Sequence, residues 1–226
     1  MKMVLSVVVA LAVLGGVLYF VAPYLKTAEP AMVEEGTEEA GVEIKTERIQ
    51  ESDAAYVIDV RYPQFGIASI DAQIKEVVSN AVTEFKSLPT NPAGSATPQN
   101  SFDGSYDSVY IGPDVVSVKL ILSQYTGGAH PLTLVSGLNY DRETGRQLLQ
   151  SDAFAMLGMS VEQVSAAATS ELKAELGDAM FEEGANANPE NFSSFVISEN
   201  EVTFIFQQYQ VAAYAAGVHE VSFPRK

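Results

Sequence analysis

Residues 3–22 read MVLSVVVALAVLGGVLYFVA, with 17 apolar positions and no charge. No other feature restricts the fold of this chain so strongly. Twenty helical residues rise about 30 Å, which matches the hydrocarbon core of a bilayer. A cleavable signal peptide has a shorter apolar core, about 7–15 residues, followed by a small-x-small cleavage site. Here the exit is Val21-Ala22-Pro23-Tyr24-Leu25-Lys26, so cleavage after Ala22 or Ala28 would put Phe20 or Lys26 at the −3 position. The run therefore reads as an N-terminal transmembrane signal anchor, residues 1–26. A long signal peptide cut before Glu34 is the alternative. Only Met1 and Lys2 precede the run, and a short basic end favours the inner side. The rest of the chain is then expected outside.

The segment after the anchor has a different composition. Residues 27–51 hold eight Glu against one Lys and one Arg, with no aromatic residue. Such a stretch buries too little apolar surface to offset the entropy of ordering, and reads as an acidic flexible tether. From residue 52 the pattern becomes globular. Nine basic and 21 acidic residues give that part a charge of −12, within −16 for the whole chain. An acidic surface argues against a nucleic-acid partner, because phosphate binding needs a basic one. The absence of Cys excludes a disulfide scaffold, thiolate zinc sites, thiol catalysis and lipid attachment through Cys.

Periodicity within residues 52–226 predicts an α+β domain, β-α-β-β-β-α-β-β-β. Its sheet is expected to be antiparallel, with two main helices packed on it. A strand over Ala54–Tyr62 is expected to stop at Pro63. Ile70, Ile74, Val77, Val78, Ala81, Val82, Phe85 and Leu88 line one face of a helix over Ser69–Leu88, with Ser69 as its cap. The Pro-rich residues 89–105 read as a loop. Strands then follow over Tyr106–Ile111, Val115–Gln124 and Leu132–Tyr140. Ser160-Val161-Glu162-Gln163 has capping-box form and opens a second helix ending near Gly177. Phe192–Ile197, Val202–Tyr209 and Val218–Phe223 complete the strands.

The string Gln124-Tyr125-Thr126-Gly127-Gly128-Ala129-His130-Pro131 is followed by Leu138-Asn139-Tyr140-Asp141 and Thr144-Gly145, and later by Tyr209, Tyr214-Ala215-Ala216-Gly217 and Val221-Ser222-Phe223-Pro224. This combination resembles the bacterial extracytoplasmic family called domain of unknown function 3298, here over residues 121–226. The preceding half, 52–120, is similar to its usual companion, domain of unknown function 4163. Members include outer domains of lysozyme-responsive anti-sigma factors and N-terminal modules of peptidoglycan deacetylases. The resemblance implies a non-catalytic module at the bacterial cell envelope; together with the anchor read above, the chain is expected to be a single-pass binding or sensing module with its domain periplasmic or extracellular. The two residues expected inside are too few to hold a sigma factor, and no separate catalytic domain is expected after the last strand. Neither effector function therefore carries over.

Gly127 and Gly128 allow backbone conformations closed to other residues, and Pro131 fixes the exit of the loop that presents His130. This loop is either a tight structural connection or a ligand-binding one. Among the aromatics, Phe204 and Phe206 read as core, while Tyr209 and Tyr214 flank an irregular stretch and read as exposed. The candidate ligand-binding set is accordingly Tyr125, Gly127, Gly128, His130, Tyr209 and Tyr214, with no catalytic or metal residues and no cofactor. His219 and the carboxylates match no metal spacing, and no G-x-S-x-G marks a nucleophile. The expected partner is an envelope ligand, peptidoglycan-related, or a cationic protein drawn by the acidic surface. A hydrolase centred on His130, or a structural partner of another membrane protein, are the alternative readings.

Overall fold

The computed structural model describes residues 44–91 and 94–226. The expected anchor and most of the tether lie outside the described residues. Among the described residues, no helix is long and apolar enough to cross a membrane.

The domain is α+β and built on two sheets. The larger has five strands in spatial order β1(Lys45–Ser52), β2(Tyr56–Gln64), β3(Asn100–Ile111), β4(Val115–Tyr125) and β5(Leu132–Asp141). Helix α1(Ala68–Lys86) joins β2 to β3. Helices α2(Gln150–Leu157) and α3(Val161–Leu176) follow β5, and a smaller sheet carries β6(Phe195–Ile197), β7(Glu201–Phe206) and β8(His219–Pro224).

The sheet expected to be antiparallel is mixed. β2 and β3 run parallel, from Tyr56↔Asn100 to Val60↔Gly104, while every other pair is antiparallel. Parallel neighbours need a long crossover, and α1 with the following loop provides it. The two helices read from periodicity are both present, and α2 makes a third. Residues 45–51, assigned from composition to the tether, instead pair along β2 as β1. β2 continues through Pro63 to Gln64, because its ladder with β3 ends at Val60 and a strand paired on one side tolerates proline. Ser69 does not cap α1. The cap position is Ile67, and the Asp71 carboxylate accepts from the Phe65 N–H at 2.7 Å. Ser160 caps α3 as read, with its capping box to Gln163 formed in both directions and Gly177 closing the helix.

Alternation distributes the core. Ile70, Ile74, Val78 and Phe85 of α1 bury against Ile58, Val60, Phe102, Val118, Leu120 and Tyr140 on one face of the large sheet. α2 and α3 cover Phe195, Phe204, Phe206, Val221 and Phe223 of the small sheet. The two sheets are joined by an apolar cluster, Ile121 and Val135 against Val196, Ile205 and Val218, and by buried polar groups. β6 lays its free edge on the face of β4 and β5 away from α1, with Ser117 and Asn139 filling the ladder positions. Asn139 Nδ2 donates to Phe195 O at 2.7 Å, Ile197 N donates to Ser117 Oγ at 2.9 Å, and Ser117 Oγ donates to Asn139 Oδ1 at 2.7 Å. Ser117 is 0% and Asn139 1% exposed, so these bonds have no water to replace them. Gly137 lets the strand approach: a Cβ there would fall 1.5 Å from Phe195 O. Along the outer edge of β5, the Gln207 amide accepts from Val135 N at 3.0 Å and donates to Val135 O at 2.7 Å, as a partner strand would.

The sheet has two poles. At one end lie the β3–β4 turn and Gln64, which pairs with Lys45 at the start of β1. Arg225 also reaches Asp114 there, so both ends of the described chain sit at this pole. At the other end, about 25 Å away along the strands, are Tyr56, Asn100, Tyr125 and Leu132.

Two measurements follow from this construction. Asn139→Ala should lower unfolding stability by about 2–4 kcal/mol in urea, because it strands two buried polar partners; Gly137→Ala should cost more, since backbone must move. Acid should also weaken the fold. Hydrogen bonds from Arg48 to Asp59, from Thr144 to Asp141 and from Arg146 to Asp152 hold these carboxyls below the usual range. Their contribution is present above the unfolded value, about 3.9, and is lost as pH falls through the lower folded values. The urea midpoint should therefore be level from pH 7 to about 5 and fall below about 4, less steeply in Arg146→Met.

Candidate functional site

At the second pole the β4–β5 loop runs between two other segments. On one side Gly127 meets the loop before β3: a Cβ on it would lie 3.2 Å from Thr97 and 3.3 Å from Asn91. On the other side His130 meets the segment between β7 and β8. Gly127 and Gly128 adopt φ of 97° and 141°, which side-chain-bearing residues rarely take. Tyr125 steadies the turn through its hydroxyl, which donates to Gly128 O at 3.2 Å.

The His130 ring stacks on Tyr214 with centroids 3.7 Å apart and planes 19° from parallel. Both are tied to one carbonyl. The Tyr214 hydroxyl donates to Pro131 O at 3.2 Å, and His130 Nδ1 lies 2.9 Å from the same oxygen. A carbonyl only accepts, so Nδ1 carries a proton and, in the neutral ring, Nε2 holds the free lone pair. Tyr209 completes the group at 5.5 Å from Tyr214 and 6.5 Å from His130. It is 57% exposed and stands at φ 68°, in the left-handed region. Two glutamines hold that turn: Gln210 N donates to Gln207 O, and Gln207 N donates to Gln210 Oε1, both at 2.9 Å. Gln210 Nε2 is in turn fixed by Gly184 O and Asn191 O.

The six residues singled out in the sequence thus lie at one pole, and His130, Tyr209 and Tyr214 form one ring cluster although about 80 residues of chain separate them. Tyr140, Phe204 and Phe206 are core, and burial pushes the Tyr140 phenol up to about 12. Gln207 and Gln210 were not singled out; amides in a loop carry no spacing that marks them.

Hydrolytic geometry is not found around His130. Its Nδ1 bonds a backbone carbonyl, and no serine or carboxylate hydrogen-bonds the ring among the described residues. His219 is elsewhere, 7% exposed, facing Glu175 of α3 at 3.2 Å. No group of three or more His, Asp or Glu placed to hold a metal occurs among the described residues.

Residues 154–226 match the family described as protein of unknown function DUF3298, and residues 49–133 match the model described as deacetylase PdaC. The chain is 29% identical over 171 residues to the peptidoglycan-N-acetylmuramic acid deacetylase PdaC of Bacillus subtilis, covering 74% of this chain and 37% of that one. It thus spans little more than a third of that relative. Immunogenic protein MPT64 of Mycobacterium tuberculosis is 23% identical over 181 residues, 79% of this chain and 78% of its own. A DUF3298 family crystal structure from Bacteroides fragilis superposes with TM-score 0.54 at 17% identity, covering 81% of this chain and 90% of that one. A second, from Pseudomonas aeruginosa PAO1, gives 0.50 at 18%, covering 80% and 91%. These two share the fold. The resemblance to the 3298 family holds; its matched residues include Tyr209 and Tyr214, whereas the string Gln124–Pro131 falls within the PdaC match.

Because His130 is exposed, hydrogen-bonded only within its own loop and otherwise stacked on Tyr214, His130→Ala should change unfolding stability by less than about 1 kcal/mol. Urea titration of the purified chain measures this.

Proposed function

We propose that this chain, with its DUF3298 match over residues 154–226, is a membrane-anchored, non-catalytic binding module of the bacterial cell envelope. The DUF3298 and PdaC-related matches fit an envelope-associated module. One observation carries the rest of the reading: His130, in the loop within the PdaC-matched residues 49–133, and two tyrosines of the DUF3298-matched residues 154–226 converge on one ring cluster at the surface, with no serine or carboxylate hydrogen-bonded to the His130 ring and no metal-holding group among the described residues. An exposed tyrosine and histidine beside the half-buried Tyr214 at a sheet end suit recognition rather than bond cleavage.

Residues 3–22 hold the module in the membrane in this reading, and the acidic stretch after them spaces it from the lipid. The ligand is an envelope component, peptidoglycan-related. The Bacillus relative is by name a peptidoglycan deacetylase, and its matching part supports a wall-directed role for the shared region; its activity is not transferred.

Full-length protein in detergent should co-sediment with purified, protein-free cell-wall sacculi, and the sacculi should show no new muropeptide products by mass spectrometry. Absence of co-sedimentation, or release of products, would overturn this reading. Fractionation of expressing cells with outside-added protease should degrade the domain and leave residues 1–26 with the membrane.

A further inference from the structure

We infer that the ring cluster at the loop pole is a carbohydrate site, taking the uncharged face of a pyranose ring against Tyr209, with His130 and Tyr214 as the floor. The inference rests on the module reading above and names its ligand chemistry.

The charge distribution is the first argument. The chain carries −16, yet the segments on the ring cluster's side of this pole carry none: residues 87–102, 120–140 and 202–218 contain no Asp, Glu, Lys or Arg, while Asp53 and the Glu51–Lys86 pair lie at the β1–β2 edge of the sheet, away from β5. Glu182 and Glu183 come near the third segment, since Phe181 N donates to Val211 O, but Lys173 holds Glu182 at 2.5 Å. A cationic protein could place Arg or Lys on a tyrosine face. It would also need carboxylates to answer the rest of its charge, and these segments offer none. A neutral ligand asks only for ring faces and hydrogen-bonding groups.

The second argument is conformational. Tyr209 sits at φ 68° with a bulky side chain, where glycine would be at ease. Its turn is clamped from both sides by Gln207 and Gln210, and the phenol is left 57% exposed. The ring is not there to fill the core. Strain retained at an exposed aromatic is the pattern expected of a contact residue.

The third argument is the polar complement. His130 Nδ1 is engaged by Pro131 O, and Nε2 makes no hydrogen bond among the described residues. It can accept from a sugar hydroxyl beside the stacked ring, and the Tyr209 hydroxyl can donate or accept. C–H groups on the flat side of a β-linked pyranose meet the negative ring face, while the equatorial hydroxyls reach these edges.

The test uses the full-length protein in detergent and two neutral probes, tetra-N-acetylchitotetraose and cellotetraose, followed by NMR of the His and Tyr ring resonances. At least one probe should shift the His130, Tyr209 and Tyr214 rings, with affinity unchanged between 50 and 500 mM salt. Tyr209→Gly removes the ring at a backbone angle glycine accepts; it should fold normally and weaken binding at least tenfold, while Tyr209→Phe should stay within threefold. No ring shift with either probe would overturn the inference. So would salt-sensitive binding of hexalysine at the same rings, which would identify a cationic partner. Wild-type sedimentation with sacculi that persists unchanged in Tyr209→Gly would overturn the site and leave the module reading standing. Oligosaccharide binding without sedimentation would do the reverse.

Discussion

The free edge of β6 is satisfied by side chains, not by another strand. Ser117 and Asn139 offer β6 the donor and acceptor that a ladder would have given, and they do so where no water reaches. The rest of the domain depends on this junction. β6 carries the small sheet, the small sheet carries α2 and α3 on its other face, and the β7–β8 segment it delivers brings Tyr209 and Tyr214 to His130. The buried bonds also fix register. Sliding β6 by one residue would take Phe195 O and Ile197 N away from Asn139 Nδ2 and Ser117 Oγ. A polar joint of this kind specifies one arrangement more sharply than an apolar face would.

The periodic elements were the readable ones. α1 shows a continuous apolar stripe, and α3 announces both ends through Ser160 and Gly177, so each helix was placed to within one or two residues. Strand direction was not readable. Alternation in residues 56–62 and 106–111 says that strands exist, but whether neighbours run parallel depends on how the connection crosses, which no local pattern encodes. β1 was hidden because it is an edge strand with exposed charged side chains, so it has no alternation and looks like the tether before it. α2 spans eight residues, too short for a periodic signal to emerge.

The candidate site was legible in pieces. Paired glycines before His130 mark a loop with unusual backbone angles, and an interrupted pattern after Phe206 marks Tyr209 and Tyr214 as outside the core. Their association was not legible, because it is set by the docking of two sheets. Nor did overall acidity describe the site. The negative charge averages over the whole surface, and the pole where the loops converge departs from that average. Net charge governs solubility and long-range approach; contact is decided by the few residues actually presented.

The two poles of the large sheet divide the work of the domain. Lys45, where the chain enters, lies opposite Gln64, and Arg225, near where it leaves, lies against Asp114 at the same end. The ring cluster is at the other end. Both ends of the described chain therefore lie at the pole away from the aromatic surface. A change at either end of the described chain leaves the aromatic end of the sheet clear. The two ends of the sheet can therefore vary separately, one with the termini of the described chain and the other with its loops.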